Sequence, residues 1–438
     1  MRSDVVVIGA GLAGLVAAND LSAQGASVIV LEARGRPGGR VLQRELTDGR
    51  IAQLGGEVVG PHHTSYIGLV EELGLTLESS FTDIPGSDTH VLTDGRHIID
   101  GFGWMSEADH DSYRRCELEF ARLAGTVDPD DPWSHPDAEA LDKLSVAAWL
   151  RSIGASPAVI RARELAMLAL AAESPERTSL LADLRKEATA PCPSFYDYDT
   201  WESYRVAEGS ATVALRLAER LRHHIRYETP VTDVTISSSG CAVISEAGEQ
   251  FDCDAVVSAV PAGPFRSLHI RGVSQQRLDS AQVQTHAIVS KVVYIYPDSF
   301  WEANGQNGSS YYEEGLFGGT WSQRDGILSA LIPPERHAVF TATPRAYLQN
   351  ELLTGLSEAF GPRSLQPQEM VIKRWGADPW TQGYITAWRP GDVMRVGPLH
   401  GTHEPPFYIC GSDQWVCGYM EGAVRTGRAA AAAALTGR

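Results

Sequence analysis

The apolar positions near the N-terminus follow a strand pattern, then a helical pattern, then a strand pattern again. A continuous apolar run predicts a buried strand over residues 4–8, and helical spacing predicts a helix from about residue 12 to residue 24, where Gly25 is typical of a helix end. A second apolar run predicts a strand over residues 27–31. This order is that of a βαβ unit, the building block of a doubly wound α/β sheet.

Helical spacing dominates the region from residue 107 to about residue 188, and it predicts an inserted helical subdomain whose clearest segments are 144–153 and 157–172. Other helices are predicted around 66–73, at 210–221, at 347–360 and, after a Gly-rich turn, over the Ala-rich stretch 418–435. A hairpin over 89–99 is predicted to turn at Asp94 and Gly95. Further strands are predicted between 231 and 243 and at 255–260, 287–296, 326–332, 337–341 and 407–411.

Composition and charge exclude several classes of protein. Of the 438 residues, 43% are apolar and 21% are charged, as in a folded globular protein and unlike a disordered or collagen-like chain. The formal charge of −18 repels nucleic acids and anionic membrane surfaces. No apolar run is long enough for a membrane span. The six cysteines show no paired spacing, and no Cys, His and carboxylate group has metal spacing, so we expect a cytoplasmic protein without a metal.

A glycine-rich turn follows the first predicted strand and opens the first predicted helix. Its sequence is GAGLAG over residues 9–14, in which glycines permit a tight turn, close approach of the backbone to a pyrophosphate and close packing of helix on sheet. Glu32 ends the second predicted strand, where a carboxylate accepts hydrogen bonds from ribose hydroxyls. We therefore predict dinucleotide binding. The alternative is an ordinary glycine turn with Glu32 as a solvated strand end.

Further motifs resemble those of one family of FAD enzymes. Residues 32–40 (EARGRPGGR) supply arginines that suit a diphosphate. This segment, LGGE at 54–57, the pair Pro230 and Val231, GSD at 411–413 and GYMEGA at 418–423 resemble the flavin-containing amine oxidases, which include monoamine, polyamine and L-amino-acid oxidases. The resemblance implies FAD as the cofactor. It implies FAD contacts at Gly9, Gly11, Ala13, Gly14, Glu32, Ala33, Arg34, Gly39, Arg40, Gly55, Gly56, Glu57, Val231, Trp375, Gly411, Asp413, Tyr419, Met420 and Ala423.

The C-terminal motif also predicts the electrostatics around the flavin. Asp413 is a candidate acceptor for ribityl hydroxyls, and the N-terminus of the last helix directs positive potential towards flavin N1 and the C2 carbonyl. The resemblance further implies that Lys291 holds a water at flavin N5 and assists reoxidation by O2. Taken alone, a lysine in an apolar run is more often one that snorkels from a sheet edge.

The predicted substrate side departs from the monoamine oxidases. Tyr384 stands where those enzymes carry the cysteine that binds flavin, so that we expect non-covalent FAD. Ile385 replaces one tyrosine of their aromatic cage, whereas Tyr419 matches the other. Trp388 and Trp415 are candidates for a substitute face, although a buried tryptophan more often belongs to the core.

Several polar residues near the predicted flavin have two interpretations each. Glu57 is a candidate to attract a protonated amine or to take its proton, or else contributes only its backbone. His62 and His63 are interpreted as a surface pair in preference to a general base. The acidic and aromatic run over residues 195–201 either lines a substrate entrance or forms an ordinary loop.

The expected fold is α/β, with a doubly wound, Rossmann-like FAD-binding domain and a substrate domain of mixed sheet and helices. The first comprises residues 1–80, 205–265 and 395–438; the second comprises 81–204 and 266–394, with the helical insertion at about 105–190. The expected reaction oxidises a C–N bond of an amine to an imine, with O2 reduced to H2O2; Lys291, Glu57, Tyr419 and Trp388 are the candidate catalytic residues. The alternatives are a larger natural-product amine or amide as substrate, an FAD desaturase, and a non-catalytic flavoprotein. A homodimer is expected on base rates.

Overall fold

A computed structural model describes residues 2–94, 97–170 and 173–437. The strands, in chain order, are β1 (Arg2–Ile8), β2 (Val28–Leu31), β3 (Gln43–Glu45), β4 (Ile51–Gln53), β5 (Val58–Val59), β6 (Leu77–Ser79), β7 (Ser87–Val91), β8 (His97–Ile99), β9 (Tyr204–Val206), β10 (Ile225–Arg226), β11 (Val231–Ser237), β12 (Gly240–Ser245), β13 (Gln250–Ser258), β14 (His269–Arg271), β15 (Thr285–His286), β16 (Ser290–Ile295), β17 (Gln306–Tyr312), β18 (Gly319–Ser322), β19 (Ile327–Ile332), β20 (Glu369–Arg374), β21 (Thr386–Ala387) and β22 (Phe407–Ile409). The α-helices are α1 (Leu12–Ala23), α2 (Thr64–Glu72), α3 (Glu107–Ala124), α4 (Ala138–Lys143), α5 (Val146–Ser152), α6 (Pro157–Ala169), α7 (Leu180–Glu187), α8 (Tyr198–Glu202), α9 (Ser210–Arg220), α10 (Ala262–Phe265), α11 (Gln275–Gln282), α12 (Pro334–Ala342), α13 (Arg345–Phe360), α14 (Asp392–Val396) and α15 (Tyr419–Thr436).

One sheet is built on the predicted N-terminal unit. Its strand order is β10-β2-β1-β13-β12-β11-β14, β22 also pairs with β13, and β1 runs parallel to both β2 and β13. Successive side chains of β1 point to opposite faces, so that Val5 and Val7 join one buried cluster and Val6 another. On one face, α1 and α15 approach so closely that a Cβ on Gly427 would lie 2.5 Å from the carbonyl oxygen of Ala13. The predicted doubly wound α/β architecture is confirmed.

A second, mixed sheet follows in the other part of the chain. Its strand order is β20-β16-β19-β18-β17-β7-β8, with β7 parallel to β17 and the other neighbours antiparallel. Helices α12 and α13 cover one face through buried apolar side chains that include Phe340 and Leu352. Strand β16, which carries Lys291, is an interior strand between β19 and β20, and each of its residues is buried.

The helices predicted between residues 107 and 188 are present as α3 to α7, whereas their separation as an inserted subdomain stays a prediction. Its core gathers apolar side chains from successive helices, such as Phe120, Trp149 and Leu180. Helix α3 begins with a capping box in which Ser106 and Asp109 satisfy each other's backbone N–H groups. Residues 171 and 172 of the predicted segment 157–172 lie outside the described residues, and so does Gly95 of the predicted turn between β7 and β8.

The strand predicted at 337–341 is wrong, because these residues lie within α12. Pro334 occupies the first turn of that helix, where its missing N–H costs nothing. Phe340 is buried and Val339 is 62% exposed, as expected for one buried helical stripe. A short apolar run does not by itself distinguish a strand from a helix that is buried on one side.

Two observations concern the whole described chain. Among the helices within the described residues, none combines the length and apolar composition that a bilayer crossing requires. The same residues contain no group of three or more His, Cys, Asp or Glu side chains arranged to hold a metal ion. The proposed boundaries between the FAD-binding and substrate domains stay a prediction.

Candidate active site

A cavity of about 540 Å³ extends from the glycine-rich turn after β1 to helices α6 and α7 of the helical insertion. Its lining includes the candidate catalytic residue Trp388 and many of the residues predicted to bind FAD: Gly9, Gly11, Ala13, Glu32, Ala33, Arg34, Gly39, Arg40, Gly56, Glu57, Val231, Gly411, Tyr419, Met420 and Ala423. The lining does not include the predicted residues Gly14, Gly55, Trp375, Asp413 and Lys291. The structure therefore brings the N-terminal, central and C-terminal motifs together around one space.

The nucleotide end of the cavity is formed by the first glycine turn. Gly11 is the N-cap of α1, no side chain caps this helix, and a Cβ on Gly11 would meet nothing within 4 Å. The first N–H groups of α1 therefore face open space, which suits a pyrophosphate. Gly9 has a φ of +102°, and a Cβ on Gly14 would lie 2.0 Å from the Gly9 carbonyl oxygen. Both positions require glycine, for the turn and for the helix contact respectively.

The acidic residue after β2 is held in place by the backbone. Glu32 is 3% exposed, and its carboxylate accepts from the Ala10 N–H at 2.7 Å and from the Arg34 N–H at 2.9 Å. The Arg34 guanidinium donates to Asp378 at 2.6 Å, and Lys373 donates to the same carboxylate at 2.8 Å. The side chain of Arg34 thus lines the cavity while it is paired with a residue from the substrate side.

Arg40 lines the cavity, with Asp413 behind it. Arg40 donates to Asp413 Oδ1 at 2.7 Å and to Ser412 Oγ at 2.8 Å. On the other carboxylate oxygen, His286 Nε2 lies at 2.9 Å and the Ala262 N–H donates at 3.1 Å. Burial alone would raise the pKa of Asp413, but the charge of Arg40 and the contact with His286 outweigh it and hold that pKa well below its usual range. Both oxygens of Asp413 accordingly have protein partners, and Arg40 is the group that meets the cavity.

The predicted flavin end contains the start of the last helix. Gly418 is the N-cap of α15 and no side chain caps it, so that its positive end points into the cavity beside Met420 and Ala423. Trp375, which is 1% exposed, donates its indole N–H to the Leu54 carbonyl at 3.0 Å. It therefore supports the turn that carries Gly56 instead of lining the cavity itself.

A buried ion pair lies next to this turn. The Lys291 ammonium donates to Glu57 at 2.9 Å and to the Gly55 carbonyl at 3.3 Å, and it lies 4.7 Å from the centre of the Trp321 ring. The side chains of Lys291 and Glu57 are 2% and 4% exposed. Lys291 belongs to an interior strand, which contradicts the interpretation of a lysine that snorkels from a sheet edge. Of the pair, only Glu57 lines the cavity.

Aromatic side chains form the end of the cavity that is predicted to receive the substrate. Tyr196, Trp201 and Tyr419, here called the aromatic cluster, lie with Trp201 near-parallel to both tyrosines, at ring distances of 6.0 Å and 5.6 Å. The hydroxyls of Tyr196 and Tyr419 are 2.6 Å apart. Tyr196 and Tyr419 line the cavity, and Tyr196 is the member of the acidic and aromatic run over 195–201 that does so. Trp201 lies in α8 and packs against both tyrosines, and the role of the run as a substrate entrance stays a prediction.

Sequence reasoning missed Glu202 and Lys186, which also line the cavity. Tyr196 donates its hydroxyl to Glu202, and burial raises the pKa of Glu202 to about 7. No motif marks either residue. Glu202 ends the short helix α8, and Lys186 lies in the last turn of α7, so that only the tertiary fold brings them together.

The interpretation of a surface histidine pair is wrong. His63 is 1% exposed, its Nδ1 accepts from the Gly60 N–H at 2.9 Å, and burial lowers its pKa well below the usual range. The His62 ring packs edge-on against Trp201 at 4.6 Å. Both histidines therefore pack beneath the aromatic cluster. Trp415, which was a candidate for a substitute cage face, packs on α15 beside Gly422.

Comparison with known proteins identifies the family. A model of the family described as flavin containing amine oxidoreductase matches residues 12–435. The chain belongs to this family. It is 29% identical to putrescine oxidase from Kocuria rosea, over 99% of this chain and 95% of that protein.

Solved structures agree with this assignment. Putrescine oxidase bound to putrescine superposes with a TM-score of 0.90 at 26% identity, covering 100% of this chain and 99% of that one. Cyclohexylamine oxidase from Brevibacterium oxydans superposes with a TM-score of 0.88 at 27% identity, covering 99% of each chain. The expected activity class and cofactor are confirmed: this is an FAD-dependent oxidoreductase that acts on amine donors.

The close contact at Gly14 generates a stability prediction. Gly14→Ala places a methyl group against the Gly9 carbonyl, so that the helix or the turn must shift, and we expect a loss of about 1–3 kcal/mol in the free energy of unfolding. The matched control is Gly68→Ala in α2, where a Cβ would meet nothing and should stabilise by about 0.5–1 kcal/mol. Denaturant unfolding of both variants measures the difference. Equal effects of the two substitutions would contradict the packing argument.

The raised pKa of Glu202 generates a pH prediction. In the folded chain the carboxyl titrates at about 7, against 4.5 for the ordinary group, so the unfolded state ionises first as the pH rises and the folded state loses stability between these values. Glu202→Gln removes this titration while its amide oxygen still accepts from Tyr196. We expect the melting temperature of the variant to rise relative to the wild type from acidic to alkaline pH across this window. Glu139→Gln, at an exposed carboxylate on α4, should show no such rise.

Proposed function

We propose that this protein oxidises the C–N bond of a small-molecule amine to an imine on non-covalently held FAD, and that O2 takes up the electrons and becomes H2O2. Bound FAD supplies the acceptor for the two electrons and the hydrogen that leave the carbon atom. The observation that carries the proposal is the buried Lys291–Glu57 pair at the wall of the cavity that begins at the α1 N-terminus. The protein's own contribution is to bind, orient and desolvate the reactants.

Some residues around the cavity suit FAD, and others suit the substrate. The uncapped N-terminus of α1 and the side chain of Arg40 suit the pyrophosphate, and the carboxylate of Glu32 suits the ribose hydroxyls. The N-terminus of α15 suits a flavin ring that gains negative charge on reduction. Tyr384, at the position of the flavin-linked cysteine of monoamine oxidases, lines the cavity and offers no thiol for a covalent bond.

The substrate amine must lose its proton before its C–N bond is oxidised. Glu202 supports this step, because it faces the cavity and its pKa, raised by burial to about 7, suits a base that operates near neutral pH. Glu57 lines the same cavity but is engaged by Lys291. We therefore assign to Glu202 the acceptance of the substrate's proton. To Lys291, paired with Glu57, we assign the stabilisation of the anionic species that form as O2 is reduced. Tyr419 and Trp388 offer aromatic walls against which a substrate packs.

The enzymes to which this chain is similar are named for putrescine and for cyclohexylamine, and a larger natural-product amine or amide remains the alternative substrate.

We propose a cytoplasmic location, which is supported by six cysteines that are all free. A homodimer is proposed on base rates and is tested by size-exclusion chromatography with light scattering.

Anaerobic mixing tests the reaction class. The purified holoprotein is mixed without O2 with polyamines, arylalkylamines, cyclic amines and amino acids while the flavin absorbance is followed. Bleaching by one class is expected, and O2 should then restore the absorbance with formation of H2O2. A flavin that dithionite reduces but no amine bleaches would overturn the proposal in favour of a non-catalytic flavoprotein.

Lys291→Met tests the role of the ion pair. An ammonium ion stabilises the anionic species that form as O2 is reduced, so we expect reoxidation of the dithionite-reduced protein by O2 to slow by about 10²-fold in stopped-flow experiments. Removing one partner of a buried pair also destabilises the fold by about 3–5 kcal/mol. The double variant Lys291→Met/Glu57→Gln should recover most of that stability but not the reoxidation rate. Unchanged reoxidation in Lys291→Met would refute the assignment.

A further inference from the structure

Lys186 projects an ammonium group into the substrate end of the cavity. It belongs to the last turn of α7, and its Nζ lies 4.3 Å from the centre of the Tyr196 ring, 4.6 Å from that of Trp201 and 5.9 Å from that of Tyr419. These are distances at which a cation is attracted by aromatic faces. The aromatic cluster therefore already contains a cation, and this cation comes from the protein.

Three arginines along the cavity are paired with carboxylates. Arg34 pairs with a carboxylate at 2.6 Å, Arg40 at 2.7 Å and Arg163 at 2.6 Å. For Lys186, the described residues provide neither an ion pair nor a hydrogen bond at Nζ. Its close partners are rings, which attract a cation but leave its N–H donors unused. An ammonium group that faces a cavity with free donors is suited to an anion from outside the protein.

The carboxylates nearest to this region do not supply that anion. Glu202 accepts from the Tyr196 hydroxyl and Glu187 accepts from the Trp201 indole N–H, and neither carboxylate forms an ion pair with Lys186. A second ammonium group is disfavoured at this end, because it would lie against Lys186 with the ring faces already occupied. At this place the ammonium of Lys186 attracts an anion and repels a second cation.

We propose that Lys186 binds a carboxylate of the substrate, so that this protein oxidises an amine that also carries a carboxylate, and not a simple monoamine or a diamine. The inference rests on the proposed function, since it names the substrate class of the same cavity. Lys186 is a specificity residue of this cavity. The substrate carboxylate pairs with the Lys186 ammonium and packs beside the aromatic cluster, and the substrate amino group then lies towards Glu57 and Glu202. Putrescine, which has a second ammonium group in place of a carboxylate, is then excluded by charge.

A binding experiment tests the anion site without turnover. Calorimetry compares phenylpropionate with the matched neutral phenylpropanol on the holoprotein. We expect the acid to bind about tenfold or more tightly than the alcohol, the difference to vanish in Lys186→Gln and Lys186→Arg to restore most of it. Lys143→Gln, at an exposed lysine on α4, is the matched control and should retain the wild-type preference. Equal binding of acid and alcohol to the wild type, or an unchanged preference in Lys186→Gln, overturns the inference.

A second measurement separates this inference from the proposed function. Anaerobic flavin reduction is followed with two matched pairs, phenethylamine with phenylalanine and butylamine with γ-aminobutyrate. The acid-bearing member of at least one pair should reduce the flavin at lower concentration, Lys186→Gln should lose that advantage, and Lys186→Glu should gain reduction by putrescine. Bleaching by amines with no advantage for acids overturns the anion site alone. Carboxylate binding with no bleaching by any amine overturns the oxidation alone.

Discussion

The ion pair between Arg40 and Asp413 is the interaction on which the site most depends. It joins residues 373 positions apart, since Arg40 follows Gly38 and Gly39 and Asp413 lies just before α15. The same carboxylate also accepts from Ala262 and contacts His286, whose strand β15 pairs with β21 on the substrate side. A buried charge is tolerated only with such partners, and loss of one partner typically costs about 3–5 kcal/mol. The nucleotide end is therefore built correctly only when distant segments of the chain have come together.

The same rule explains where the other charges lie. Lys291 on β16 reaches Glu57 on the flavin-side turn, and Arg34 after β2 reaches Asp378 beyond β20. Each pair joins a residue near the doubly wound sheet to one near the mixed sheet, and each lies beside the cavity. The charges proposed to act on a ligand are thus neutralised by residues from the opposite side, which fixes their geometry before any ligand binds.

The sequence predicts local structure better than it predicts the partners of polar side chains. The β1-α1-β2 unit could be derived because its glycines, its apolar runs and Glu32 act within a short stretch of chain. By contrast, the apolar run at 337–341 predicts a strand although it belongs to α12, because five residues do not distinguish a strand from one buried helical face. The burial of His63 depends on packing with Trp201, more than a hundred positions away. Glu202 and Lys186 carry no motif at all, because their chemistry arises from the desolvation and the aromatic faces that the fold provides.

Tyr419 shows how a motif match and its structural context can lead to different chemistry. By its position in the chain it matches a cage tyrosine of monoamine oxidases, and an open cage of this kind attracts a substrate ammonium. Here Trp201 stacks on Tyr419, and the ammonium of Lys186 takes the place beside the rings. The C-terminal turn of α7 favours a cation at that position, since the carbonyl end of a helix is negative. The fold thus converts a cation-binding surface into an anion-binding one while the tyrosine itself is unchanged.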